Sequence, residues 1–526
     1  MRRLLLTLVL VNVLVIVPLW LRPVPVEGAW LAADAMLITA LLVLLPRRRL
    51  TRAAAWLGAA LIGFAAVANL ADAGVRWLVG RGLNLSLDLP SLHSFYILIR
   101  DNVHITAAFA AGAALLVLAL FLLWVLRRRL EPGGLSSGAR TVALATAGLG
   151  AVGSVAAGAA AAGLVPGTLG AATPVAAMLG EQSRLAVRTR AEGAALAERL
   201  ADAPAEHPLP DLEGRDVIIG FVESYGVSSV FDARYGPVIQ PRLADMAERL
   251  EGADLEVVSG TLAAPIIGGQ SWLAHATTLS GEWIDNQHLY ERLIAAEPPS
   301  LVSDFAATGH ATAKVVPAIT MDWPEGEAWG LDAIHAAADI DYRGPALNWV
   351  TMPDQFTWHY FEHAIRAPTD DPLFAQVTLI SSHSPWTPVI DVIEPWSRIG
   401  DGRIFARFAD QGPEPATLWR DLSRVRDAYA SALDYSLDVS IGFAERHVDD
   451  DTLLILIGDH QPLPLVVGAD LPPEVPVHVI SGDAELLAPW RERGFVAGTL
   501  PPPPAGDGPG MDALRDWLQE DFGGNG

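Results

Sequence analysis

The chain has 526 residues, 51% of them hydrophobic, a mean hydropathy of +0.31 and a formal net charge of −24. That apolar excess excludes an ordinary soluble enzyme, and the length leaves room for more than one domain. With no cysteine, disulfides, thiolate metal sites and cysteine nucleophiles are all excluded.

The apolar excess lies at the front. Five stretches, Leu4–Leu21, Trp30–Pro46, Ala53–Leu70, Ile105–Leu126 and Thr141–Val165, come near the roughly 20 residues a helix needs to cross hydrocarbon. Arg2 and Arg3 before the first stretch resemble the start of a secretory leader, but four further spans follow and the segment is read as retained. Arg2, Arg3, Arg47, Arg48, Arg49, Arg52, Arg127, Arg128, Arg129 and Arg140 flank one set of span ends; Arg22, Arg76, Arg81 and Arg100 flank the other. The positive-inside rule then places the amino terminus in the cytoplasm, and five spans deliver everything after Val165 to the outside. Residues 1–165 carry 14 basic and 6 acidic side chains, a net of +8, which leaves −32 for residues 166–526. So acidic a segment repels nucleic acid. An anionic substrate there would need a local positive group, for which a divalent cation is the obvious candidate.

Residues 166–213 read as a linker. A helical pattern over Met178–Leu200 is ended by Pro204, Pro208 and Pro210. It fits a helix near the membrane surface or a loosely ordered spacer. From 214 to 526, strand-like and helix-like segments alternate. Strand patterns fall at 217–222, 312–316, 374–380 and 452–457, and helical patterns at Arg242–Leu250, Asp421–Ala444 and Met511–Leu518. Alternation of this kind predicts an α/β domain with a mostly parallel sheet flanked by helices.

Three strand ends carry chemistry. VIIGFVES places Glu223 just past a buried strand, AQVTLISSHSPW places His383 after another, and TLLILIGDHQP places Asp459 and His460 after a third. In open α/β sheets ligands bind at that carboxyl edge. Carboxylates and imidazoles converging there suit a hard-to-borderline divalent metal. A fourth piece, GGQSWLAHATTLSG, starts a helix near Ser271, with Trp272, Ala276 and Leu279 on one face and Ser271, His275 and Thr278 on the next. A serine at a helix amino terminus is either a simple cap or sits beside free N–H groups that suit phosphate or sulfate. The stretch begins like a G-x-S-x-G nucleophile elbow but lacks the last glycine, and a Ser-His-Asp hydrolase leaves Glu223 and the Asp459-His460 pair unexplained.

The order FVESYG, GGQSW…LSG, ISSHSPW, IGDHQP resembles the sulfatase-like branch of the alkaline phosphatase superfamily, and more closely its lipoteichoic acid synthase and phosphoglycerol transferase group. That group joins five amino-terminal spans, a linker and an extracytoplasmic catalytic domain, so the resemblance covers essentially the whole chain. It implies that Glu223, Asp459 and His460, with the Ser271 oxygen, hold manganese or magnesium, that Ser271 is the nucleophile, and that His383 contacts the transferred headgroup. Two departures stand out. Sulfatases carry a formylglycine precursor in C/S-x-P-x-R, whereas Ser271 is followed by Trp272, Leu273, Ala274 and His275. The teichoic acid enzymes grip glycerol phosphate with Trp-x-Arg; here Trp323 is followed by Pro324 and Glu325, leaving Arg343 as a substitute.

The resemblance implies a metal-dependent phosphotransferase that moves a phosphoglycerol- or phosphoethanolamine-type headgroup from a membrane phospholipid to an envelope glycan or polymer, through a covalent Ser271 intermediate. With water as acceptor the same site is a phosphodiesterase. A non-catalytic scaffold would be signalled by loss of the nucleophile or ligands, and all four are present.

Overall fold

The computed structural model describes the chain apart from residues 27, 47, 91–120, 132–134, 166–169, 204–205, 469–471 and 525–526. It divides into two compact units, Met1–Ala191 and Glu192–Gly526. Of the two readings of the linker, the helical one describes Met178–Leu200, which lies within the helix Pro174–Asp202.

In the first unit, three helices among the described residues are long and apolar enough to cross a membrane: Arg2–Trp20, Arg49–Val79 and Ser137–Ala161. Among the described residues the count is thus three, against the five expected of the whole chain. The stretch Trp30–Pro46 yields only Ala33–Leu44, 12 residues, or about 18 Å of helix against the roughly 30 Å of a hydrocarbon core. Its start is lost because Leu31 and Ala32 pair as a short parallel strand with Ala171 and Ala172. The expected span Ile105–Leu126 lies outside the described residues up to 120, and 121–130 are helical. The 31-residue helix Arg49–Val79 ends at Gly80, whose left-handed backbone (φ 74°) closes it without a Cβ penalty.

The second unit is built on an eight-stranded mixed sheet. In chain order its strands are β1 Asp216–Val222, β2 Glu256–Ala263, β3 Ala311–Val316, β4 Ala333–Ala336, β5 Leu373–Leu379, β6 Thr452–Gly458, β7 Glu474–Ser481 and β8 Val496–Ala497. Their order across the sheet is β8-β2-β7-β6-β1-β5-β3-β4. The run from β6 to β4 is parallel, whereas β7 is antiparallel to both β6 and β2, and β8 is antiparallel to β2. The sequence pattern missed β2, β4, β7 and β8. In β7, Pro476 and His478 interrupt the apolar run, and a proline argues against a central strand; here Pro476 sits opposite Thr261 in register.

Strand alternation builds two cores. Ile218, Val222, Leu454 and Leu456 face one side with Trp358, Tyr429 and Phe443 of the covering helices. Val217, Ile219, Phe221, Leu453, Ile455 and Ile457 face the other with Leu273 and Leu279. Every residue of β6 is buried, as its unbroken apolar run foretold. β1 and β6 lie side by side with Ile219 opposite Ile455 and Val222 opposite Gly458. That register sets Glu223 next to Asp459 at the carboxyl edge.

Candidate active site

Glu223, Asp459 and His460 are all buried, and one ligand atom from each lies within 4.8 Å of the others. Gly458 makes this approach possible: a Cβ there would stand 1.9 Å from the Tyr225 carbonyl oxygen, so the β6 exit is open to glycine alone. The loops on the two sides are then tied together. Asp459 Oδ1 accepts from the Ser224 and His460 backbone N–H groups, both at 2.7 Å. Ser224 Oγ donates to Glu223 Oε1 at 2.9 Å, and Ser382 Oγ donates to the Glu223 carbonyl at 2.6 Å.

Ser271 opens the helix Ser271–Ser280, preceded by Gly269 (φ 139°) and by Gln270 in the left-handed region (φ 67°). A non-glycine residue in that region costs energy and is held by its surroundings, as happens at functional sites. Ser224 beside Glu223 shares the feature (φ 55°). The Ser271 hydroxyl donates to Glu223 Oε2 at 3.1 Å and lies 3.3 Å from His460 Nε2. His460 Nδ1 is 2.8 Å from the Gln461 carbonyl, which can only accept. Nδ1 therefore carries a proton, and Nε2 faces Ser271 and the carboxylates, 3.4 Å from Glu223 Oε1 and 3.6 Å from Asp459 Oδ2.

The electrostatics call for a cation. Burial and the charge of Glu223 push the Asp459 carboxyl well above its usual range. Burial also opposes ionisation of Glu223, but His383, His460 and the Ser224 hydroxyl hold it lower. Burial and their mutual repulsion thus disfavour ionisation of both carboxyls together. Two carboxyl groups, an imidazole nitrogen and a hydroxyl around one point fit a divalent ion, whose charge would offset that repulsion.

His383 stands beside Glu223 and lowers its carboxyl pKa. Its Nδ1 donates to the Ser384 carbonyl, which leaves Nε2 free. Trp349, missed by sequence reasoning, stacks on the His383 ring with centroids 3.5 Å apart and planes 11° from parallel. It is held there by a turn in which Leu347 and Val350 exchange backbone hydrogen bonds and Asn348 takes a left-handed φ of 57°. Nothing in the sequence NWV signals that stacking.

Two other expected residues lie apart from this group among the described contacts. Trp323 is half-buried against the second core with Lys314 Nζ 5.2 Å from its ring. Arg343 is exposed and pairs with Asp341 at 3.0 Å. The face expected of the Ser271–Ser280 helix also differs. Trp272 is 43% exposed and donates to Gln287 Oε1, while His275 turns inward with Ala276 and Leu279.

No family model and no curated protein matches the chain. Among solved structures it is similar to the lipoteichoic acid synthase of Listeria monocytogenes, at 15% identity and a TM-score of 0.36, covering 52% of this chain and 66% of that one. The chain is similar to proteins of the alkaline phosphatase superfamily. One of them, from Vibrio parahaemolyticus, matches at 15% identity and a TM-score of 0.33, over 52% of this chain and 61% of that one. The lipooligosaccharide phosphoethanolamine transferase A of Neisseria meningitidis matches at 13% identity and a TM-score of 0.43, over 83% of this chain and 78% of that one. The chain thus spans just under two thirds of the length of the first two.

Proposed function

We propose that this protein is a membrane-anchored, metal-dependent phosphotransferase whose nucleophile is Ser271 and whose metal ligands are Glu223, Asp459, His460 and the Ser271 oxygen. The observation that carries this reading is the Ser271 hydroxyl at a helix amino terminus, 3.1 Å from Glu223 and 3.3 Å from His460 Nε2, with Asp459 alongside. A serine that only capped its helix would have no reason to meet two buried metal-type donors. The resemblance of the four motifs in order supports the same reading.

When bound, a divalent cation such as manganese or magnesium supplies Lewis-acid stabilisation of phosphoryl charge and eases loss of the serine proton. The residues of the chain do the rest. Glu223 orients the Ser271 oxygen, which attacks the phosphorus of a phosphodiester lipid; the Ser–O–P bond forms as the serine proton leaves, and the bond to the lipid breaks with the departing alcohol taking up a proton. Free N–H groups in the first turn of the 271–280 helix face the phosphoryl oxygens. His383, pinned by Trp349, offers its free Nε2 to the headgroup. An alcohol of an envelope glycan or polymer then displaces Ser271, giving ping-pong kinetics. In this reading residues 1–165 anchor the chain with its amino terminus in the cytoplasm, 166–213 link, and 214–526 catalyse outside the membrane. Tethering raises the effective concentration of lipid substrate at the site.

Intact mass after incubation with manganese and a mixed lipid extract, beside Ser271→Ala, tests the reading. The expected result is lipid consumption with a Ser271-dependent adduct whose mass gives the headgroup. Neither adduct nor consumption would overturn it.

A further inference from the structure

A polar patch lies on the sheet face that carries the second core, beneath the Ser271–Ser280 helix. Lys314 on β3 and Gln376 on β5 are register partners. Gln376 lies opposite Ile219 of β1, and Thr378 opposite Phe221. His275, one helical turn beyond Ser271, packs its imidazole on Phe221 with ring centroids 4.1 Å apart. All four polar side chains are more than nine-tenths buried. Yet His275 Nε2, Thr378 Oγ1 and both amide atoms of Gln376 make no hydrogen bond among the described residues. Buried polar atoms left unsatisfied are costly, and such groups are bridged by ordered water when several converge.

The choice of cation is informative. Of the 36 Lys and Arg residues, Lys314 is the single lysine. A guanidinium is planar and permanently charged, whereas a buried primary amine is compact and can lose its proton. Arg515, another buried basic residue, is paired with Asp304 at 2.8 Å. Lys314 has no carboxylate partner among the described residues, only the Trp323 ring. The groups facing it are His275 from the helix, Trp323 from the following loop, and neutral side chains of β4 and β5. Of these only His275 titrates.

We propose that Lys314, Gln376, Thr378 and His275 enclose ordered water behind the nucleophile helix, and that Lys314 acts through His275 as a positioning residue for Ser271. The inference rests on the reading of Ser271 given above. Charged Lys314 donates through water to neutral His275, fixes the first turn of the helix, and adds positive potential in a segment of net charge −32. Burial, reinforced by Lys314 and His460, keeps His275 neutral. Burial also pushes the Lys314 amine down to about 7. Above that pH the donor and the potential are both lost, so turnover falls as pH rises through neutrality.

The single lysine makes the test direct. Lysine labelled with carbon-13 at Cε gives one NMR signal in the full-length protein, whose titration needs no variant. It is compared with the pH profile of kcat for manganese-supported phosphodiester consumption, in wild type and in Lys314→Met, with metal content measured in each. The expected result is a Lys314 midpoint near the alkaline limb of the wild-type profile. Lys314→Met should retain metal, lose the limb, and show kcat reduced by about tenfold, the size expected of one buried charge acting across one side chain, with KM changed less than about twofold. A limb that persists in metal-loaded Lys314→Met, or a Lys314 midpoint above about 9, overturns the proposal. A wild-type protein that consumes no phosphodiester removes the reading of Ser271 itself, a distinct outcome that removes the positioning role with it.

Discussion

The Ser271 hydroxyl donates to Glu223 Oε2 across 3.1 Å, although 48 positions separate the two residues. Glu223 is placed by the end of β1 and Ser271 by the start of a helix packed on the sheet face that carries Phe221. Neither local element requires the other, so the contact is a product of the assembled edge.

If Ser271 is the nucleophile, Ser271→Ala should lower kcat by at least about 10³-fold, since the covalent step has no substitute. Glu223, Asp459 and His460 remain, so manganese content should be retained or fall only modestly. Steady-state kinetics with metal analysis of the purified variant decide this; near-normal turnover would remove Ser271 from the mechanism.

Metal binding should also depend on pH, with a defined sign. Burial and Glu223 raise the Asp459 carboxyl well above its usual range, so the metal-free fold holds a proton that the unfolded chain has released. Metal-free stability therefore falls as pH rises from the ordinary carboxylate range towards neutrality, while a cation that displaces the proton binds more tightly. The rise in Tm on adding manganese should be larger at pH 8 than at pH 5.5, as melting curves at each pH would show. Asp459→Ala should abolish the rise at both.

Gly458→Ala should be severe despite its small volume. The added carbon meets the Tyr225 carbonyl oxygen at 1.9 Å, and backbone on both strands must move. We expect a loss of about 3 kcal/mol or more together with loss of metal, because the displaced segment carries Asp459. Denaturant unfolding and metal content would report both; an unperturbed variant would mean the two loops are not held as closely as this.

Asp354 tests the support of the His383 loop. Fully buried, it accepts from the Ile380 N–H at 2.6 Å, the Ser381 N–H at 2.9 Å and the Ser436 hydroxyl at 2.7 Å. Asp354→Ala leaves two backbone N–H groups unpaired and the Ser436 hydroxyl with only the longer bond to the Ala432 carbonyl, and should cost about 3 kcal/mol, while Asp354→Asn, which keeps one acceptor oxygen, should cost less. Chemical denaturation of the two variants would rank them, and equal losses would show that volume rather than hydrogen bonding is at stake.

A topology test is independent of chemistry. A reporter fused after Gly526 that works only outside the cytoplasm should be active. Activity of a cytoplasm-specific reporter at the same position would overturn the arginine-based orientation.

Some of this was written locally. The unbroken run Thr452–Ile457 identifies a strand buried on both faces, and Gly458-Asp459-His460 marks its carboxyl end, because strand burial and turn geometry depend on neighbouring residues. The same holds for VIIGFVES and for the serine that opens the 271–280 helix. Absence of cysteine and the acidic charge of residues 166–526 follow from composition, and run length marks the three apolar helices found among the described residues. Other features belong to the tertiary structure. β2 and β7 pair with each other in register despite Pro476, and Leu31–Ala32 leaves its helix to pair with Ala171–Ala172. Trp349 rather than Trp323 stands on the His383 ring, Arg343 is spent on Asp341, and Lys314 meets Gln376 beneath His275. These depend on which strands become neighbours and in what register. Periodicity fixes which face of an element is apolar, whereas sheet order, a property of contacts between residues far apart in the chain, fixes which side chains meet.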